Sequence, residues 1–414
     1  MSKHTLVFFL DAIRFDYLED GHMPYLTELG KTGNAFRLYT ILAFDGIAPT
    51  AYTGVYPDSH SIWTQFVLDE RGQFNWLKPF IPVATGLDKL FSVSQTSKKI
   101  FRHSLLTLSK MNGRLSGYPS IGQIPLNLLT KFGVATQENF LTADNINSYP
   151  TFLSILRRGG VSVQVVDHPE LGSDNDVVET ALAIKHPSEV TFLRLWDLDS
   201  VTHRNGVNSE AALRAIREND KNVKRIVEHF QQITHDVVNV FAFADHGMVN
   251  VKDSVDIVKP LEEIGLHLGV DYLAFLDSTI ARFWAEDDVI RRIGAILQRL
   301  DGGRILDAKD LQMLHIPSTD RYGKLLFLAN PGILVKPNFY QGAGSIAAMH
   351  GYDPSTPDMD TIFVTNVPNL RNGNGNSSSG YNGMNAQMVD IAPTILDSLG
   401  YENPRSMLGK SLLA

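Results

Sequence analysis

The chain has no cysteine among its 414 residues. That excludes a disulfide scaffold, a thiolate zinc site, an iron–sulfur centre and a cysteine nucleophile. It also lacks an excess of positive charge: 37 Lys and Arg against 45 Asp and Glu leave a formal net charge of −8. Nucleic acid is therefore not expected as the main partner, because that affinity rests on neutralising phosphates with cations. No apolar run approaches the roughly 18 residues that a membrane span requires. The first apolar stretch, Leu6–Leu10, has no small-residue cleavage site behind it and runs straight into Asp11. It reads as a β-strand rather than a signal peptide, and the expected compartment is the cytoplasm.

What is present is an ordinary globular composition, 43% hydrophobic and 20% charged, which rules out disorder, collagen and coiled coil. The length suits one large domain with an insertion, or two domains. Four short apolar runs, Leu6–Leu10, Val161–Val166, Val190–Leu195 and Val237–Phe243, read as strands buried on both faces. Between them Met23–Gly30, Ser148–Arg158 and Ser209–Gln231 carry apolar residues at helical spacing. The alternation predicts an α/β fold, a mostly parallel sheet with helices on both faces.

Two stretches interrupt that pattern. From about 74 to 147 the periodicity is lost, and the basic, apolar segment Ser97–Leu108 reads either as part of a lid-like insertion or as a surface helix docked on the core. Residues 266–335 read as a small inserted α/β subdomain, with strands near Tyr272–Leu276, Ala281–Trp284 and Lys324–Leu328 and a helix at Val289–Leu300. The core is then 1–265 and 336–414. Arg371–Gly380 is a Gly/Asn/Ser loop of low complexity.

The chemistry lies in how the strands end. Leu6–Leu10 ends in Asp11, Val190–Leu195 runs on to Asp199 with His203 four residues later, and Val237–Phe243 ends in Asp245-His246-Gly247. A later segment supplies His350 before Gly351. Open α/β sheets bind ligands beyond the carboxyl ends of their strands, so parallel strands would gather these residues at one edge. Three carboxylates and three imidazoles there call for a cation. Asp/His ligation without sulfur suits zinc first, with manganese or iron as alternatives. Six ligands suit two divalent ions, an arrangement able to hold the attacking and leaving oxygens of a phosphoryl transfer.

The wording of these segments resembles the alkaline phosphatase superfamily, in particular its type I phosphodiesterase/nucleotide pyrophosphatase branch. The resemblance runs through Asp11-Ala-Ile-Arg-Phe-Asp16, Met23-Pro-Tyr-Leu26, Thr53-Gly-Val-Tyr-Pro-Asp-Ser-His60, Asp199-Ser-Val-Thr-His203, Asp245-His-Gly-Met248, Met349-His-Gly-Tyr-Asp-Pro354 and Asp390 to Gly400, in the family's order. It implies one metal held by Asp199, His203 and His350, and a second held by Asp11, Asp245, His246 and the nucleophile. The implied reaction is metal-dependent hydrolysis of a phosphodiester or pyrophosphate bond in a small phosphorylated substrate.

The nucleophile departs from that pattern. The family's Ser or Thr stands ten residues before the Gly of Thr-Gly-x-Tyr-Pro, and counting back from Gly54 reaches Phe44. The neighbouring polar residue is Asp45, and three readings stay open. Asp45 is a metal ligand or carboxylate nucleophile, or it caps the helix that Pro49 and Gly54 punctuate, or Thr50 or Thr40 serves after a local shift. Backbone amides of Gly46 and Ile47 would favour a phosphate oxygen. The rival to a hydrolase is a pseudoenzyme that kept the metal or phosphate site and lost the attack. Trp63, Phe66, Trp76 and Tyr352 are candidate stacking surfaces for a base or apolar group.

Overall fold

The computed structural model describes residues 4–116, 119–135, 139–167, 171–342, 344–368 and 384–413. Arg371–Gly380 lies outside them. In chain order, strands β1 (Thr5–Leu10), β2 (Asn34–Tyr39), β3 (Val163–Asp167), β4 (Val190–Leu195) and β5 (Asn239–Ala244) come first. Then follow β6 (Leu273–Leu276), β7 (Ile280–Trp284), β8 (Gly303–Ile305) and β9 (Leu325–Ala329), and finally β10 (Thr361–Thr365) and β11 (Met384–Gln387). The main sheet has the order β11-β2-β10-β5-β1-β4-β3. Its pairs are parallel except on either side of β10, which runs against both β5 and β2.

Helices α1 (Pro24–Thr32), α2 (Ile47–Thr53), α3 (Ile81–Phe91), α4 (Gln95–Met111), α5 (Phe152–Arg158), α6 (Asp174–Leu182), α7 (Asp197–Asn205), α8 (Glu210–Thr234), α9 (Asp287–Leu297) and α10 (Ile391–Ser398) complete the elements used below. The period-two alternation of β1 sorts its side chains between two cores. Val7 and Phe9 pack with Ala51 of α2, Phe152 of α5 and Ile391 of α10. Leu6, Phe8 and Leu10 pack with Leu26 of α1, Val177 of α6 and Ile226 of α8. Helices therefore cover both faces, which is why the central strands read as continuous apolar runs.

Several element boundaries shift from the sequence reading; Val161–Val166, for one, pairs as Val163–Asp167. Ser148–Arg158 forms a helix only from Phe152: Thr151 caps it by accepting from the Ser154 amide at 3.1 Å, and Tyr149–Pro150 pairs as a short strand before it. Val237 lies outside β5, which starts at Asn239 and ends at Ala244.

Strands β6, β7, β9 and β8 form a separate antiparallel sheet in that order. Its core is continuous with that of the 74–147 segment: Phe132 meets Phe275 edge-on at 5.1 Å between centroids and Trp284 at 5.5 Å. Arg282, fully buried, donates to the Phe66 carbonyl at 2.8 Å and pairs with Asp277 at 3.2 Å.

Candidate metal centre

The parallel register delivers the predicted carboxylates to one edge. Leu10 lies beside Leu195 of β4 and Ala244 of β5, so Asp11 and Asp245 each stand one residue past neighbouring strand ends. The Asp11 amide donates to the Leu195 carbonyl at 3.0 Å, continuing the ladder into the site. Asp245 Oδ1 accepts from the amides of Ala12 (3.2 Å) and His246 (2.9 Å), which orients the carboxylate and leaves Oδ2 for other work. On α7, Asp199 and His203 share a face at i, i+4, with His203 Nε2 3.1 Å from Asp199 Oδ1.

The imidazoles are aimed by their far nitrogens. His203 Nδ1 lies 2.8 Å from the Ala348 carbonyl and His246 Nδ1 2.9 Å from the Gly247 carbonyl. A carbonyl only accepts, so in each ring Nδ1 carries the proton and Nε2 presents a lone pair to the site. His246 Nε2 is 3.5 Å from both Asp11 Oδ1 and Asp245 Oδ2. His350 arrives from the two-residue strand Ala348–Met349, which pairs with Val249–Asn250. It stacks on His246 at 3.8 Å and places Nε2 3.8 Å from Asp199 Oδ1. Gly247 lets the 358–359 backbone pass close behind His246: a Cβ there would sit 2.0 Å from the Asp358 carbonyl oxygen. Gly351, at φ +79°, would put a Cβ 2.7 Å from the Phe44 ring.

Two ligand clusters result, Asp199–His246–His350 and Asp11–Asp245–His246, each with its ligand atoms within 4.8 Å of one another. His246 belongs to both. Asp11 Oδ1 and Asp199 Oδ1 are buried without a hydrogen-bond partner, so the donor set fits divalent cations. Electrostatics agrees. Burial, then the charges of Asp245 and Asp199, pushes the Asp11 carboxyl well above the usual range, and burial raises Asp245. Burial would raise Asp199 too, but the close approach of His203 and the charges of His350, His203 and His246 hold it below. Burial followed by His246 pushes His350 well below an ordinary histidine.

The centre opens into a cavity of about 350 Å³ lined by Asp11, Asp199, His203, Asp245, His246 and His350, with Phe44 and Asp45 alongside. Asp45 is half-buried on this wall. Burial and then the charge of Asp277 raise it to about 6, while a hydrogen bond from Gln65 pulls it back. It does not cap α2: Gly46 occupies the N-cap position and the helix has no side-chain cap. Thr50 is turned inward, donating to the Gly46 carbonyl at 2.7 Å with His60 Nε2 at 3.0 Å. Thr40 donates to the Asp245 carbonyl at 2.5 Å, bracing a ligand from behind. Neither threonine lines the cavity, and neither do Gly46 and Ile47.

The aromatic candidates are corrected. Trp63, Phe66 and Tyr352 are buried core residues, and Trp76 donates to Ser109 at 2.9 Å; none lines the cavity. The aromatic walls are Phe44, Trp196 and Tyr340, joined by Gln65, Ser120, Ser278 and Gln341. Sequence reasoning missed all of these except Phe44. Trp196 alone had a signal, standing directly after β4.

Residues 164–353 match the family model described as type I phosphodiesterase / nucleotide pyrophosphatase. The matched stretch, just under half of the chain, holds Asp199, His203, Asp245, His246 and His350. Its fold is similar to murine ectonucleotide pyrophosphatase/phosphodiesterase 5 at TM-score 0.67 and 15% identity, over 97% of this chain and 96% of that one. The human protein of the same name matches at TM-score 0.67 and 15% identity, over 99% and 97%. A third structure, at TM-score 0.66 and 15% identity over 97% and 96%, is the murine protein inactivated by a threonine-to-alanine substitution, in complex with AMP. These likenesses establish the family's fold for this chain.

Proposed function

We propose that the chain is a two-metal hydrolase of phosphodiester or pyrophosphate bonds, acting on a small phosphorylated substrate. The observation that carries this reading is the pair of adjoining Asp/His clusters with orphaned buried carboxylate oxygens on the wall of an open cavity. Asp199, His203 and His350 would hold one divalent ion, zinc by preference, and Asp11, Asp245 and His246 the other. Such ions supply polarisation of the phosphoryl group and charge for the leaving oxygen. The AMP found in the murine structure favours a nucleotide-type phosphoester as the first substrate to try.

Because α2 brings no hydroxyl to the cavity, Asp45 is assigned the proton-handling role: its carboxylate, oriented by Gln65, takes the proton of the attacking water. Ser278, which donates to Gln341 at 2.9 Å, and Tyr340 form the wall for the leaving group. The missing hydroxyl also favours one rival, a metal- or phosphate-binding protein without turnover. Protein stripped by chelator and refilled with zinc or manganese, then offered mono-, di- and pyrophosphate esters, decides between them. Hydrolysis restored only by metal supports the enzyme, whereas metal binding without hydrolysis of any ester sinks it. Inserting Ser between Phe44 and Asp45 sharpens the result: a large gain means the native site is crippled, and no gain over an active wild type supports the water-driven route.

A further inference from the structure

The helix pair α3–α4 differs from the rest of the molecule in two ways at once. Residues 74–116 hold seven Lys and Arg against the single acid Asp88, so this segment carries +6 while the rest of the chain carries −14. Among the described residues, nine of the sixteen exposed large hydrophobics also fall in this segment. On α3, Val83, Leu87 and Leu90 are 66%, 40% and 64% exposed, and Val93 in the turn that follows is 85% exposed. On α4, Ile100, Leu108 and Met111 are 64%, 44% and 78% exposed. At about 100° per residue each helix's set falls on one face less than about 90° wide, and Lys99 and Lys110 lie together along one side of that of α4.

This surface is not a loosely packed core. Asp88 of α3 takes a bidentate pair from Arg102 of α4, both contacts at 2.8 Å, and Arg102 Nη1 donates to the Ile121 and Ile124 carbonyls at 3.1 and 2.7 Å. Phe101, Leu105 and Leu106 are buried on the inner side of α4. The pair is thus clamped with its apolar outer residues in water, and its only carboxylate is spent on a buried guanidinium. Exposed apolar residues in this density mark an interaction surface.

We propose that the outer face of α3–α4 docks on an anionic membrane surface. Stable peripheral attachment takes two signals, an inserted apolar face and a cationic flank, and both are present; Lys89, Lys99 and Arg114 are exposed there. A second copy of the chain suits the face less well, because a two-fold contact would set one +6 segment against another. The acidic remainder of the chain would be repelled by the same lipid surface, which fixes the orientation. Ser120 lines the metal-site cavity while the adjoining Ile121 and Gly122 line the apolar groove beside Ile100, so docking sets the mouth of the cavity near the lipid headgroups.

Co-sedimentation of the purified chain with vesicles tests this without any enzyme assay. Wild type should pellet with phosphatidylglycerol/phosphatidylcholine vesicles at low salt, and at least tenfold less with phosphatidylcholine alone. Leu90→Asp/Val93→Asp should lose at least tenfold in binding, and so should Lys89→Glu/Lys99→Glu/Arg114→Glu, at about fivefold per charge removed. Val270→Asp, a control at an exposed apolar site elsewhere (82%), should bind like wild type. Thermal melts of each variant verify folding, and the triple charge variant serves where the apolar one does not fold. Wild type staying in the supernatant overturns the proposal. Undiminished pelleting of both folded variants does so too, as does a dimer abolished by Leu90→Asp/Val93→Asp with no vesicle binding.

Discussion

The cavity has two halves made in different ways. Its metal half comes from residues just past strand ends, each set by backbone: Asp11 by the Leu195 carbonyl, Asp245 by two amides, His203 by the Ala348 carbonyl. The other half comes from Gln65, Ser120, Ser278, Tyr340 and Gln341, none of them on the main sheet, held by side-chain contacts such as Ser278 to Gln341. Position one past a parallel strand needs only a short motif to be filled. A pocket wall assembled from loops has no fixed spacing, so it is free to differ where the metal half is not.

Substitutions in the two halves should therefore fail differently. The largest effect is expected from Asp199→Asn, which removes the carboxylate between His203 and His350: kcat/KM for a model diester should fall by at least about a thousandfold. Elemental analysis should show metal lost from the protein. Asp45→Asn should cost about ten- to a hundredfold in kcat and remove an acidic limb near pH 6 from the rate profile, with metal content unchanged. If it loses metal like Asp199→Asn, Asp45 belongs to the metal half and the division is wrong.

The same residue gives a stability signature in metal-free protein. Its folded carboxyl is raised to about 6, so between pH 6 and about 4 the folded chain keeps a proton that the unfolded chain releases. Stability from this group therefore rises as pH falls through that window and is lost as pH rises through 6. Asp45→Asn should remove about 3 kcal/mol of this pH-dependent change in denaturant titrations. Gln341→Ala should raise KM about three- to tenfold for one leaving group and leave kcat within about twofold. Tyr352→Phe, in the core, should change neither by more than about twofold.

How much of this was legible in the sequence follows the same line. Leu6–Leu10 and Val190–Leu195 announced themselves because strands covered on both faces must be apolar throughout, and their terminal aspartates had no apolar reason to be there. The resemblance through Asp245-His246-Gly247 then named the branch. Trp63 and Tyr352 misled because a large aromatic near a motif looks the same whether it fills a core or a pocket; only burial separates them. The helix start at Phe152 was misjudged because Tyr149–Pro150 continues the apolar spacing while pairing as a strand. Of the three readings open for Asp45, the helix cap failed by one residue, since Gly46 holds that position.

The joint core of Phe132, Phe275 and Trp284 bears on how this chain could be remodelled. Segments separated by well over a hundred residues close a single apolar interior, so neither is a module in its own right. A chimaera given 74–147 from this chain without 266–335 would leave Phe132 facing an ill-fitting neighbour and the Phe66 carbonyl without its Arg282 donor. The two can be traded only as a set, and the wall residues Ser120 and Ser278 would be carried along with the cationic helices.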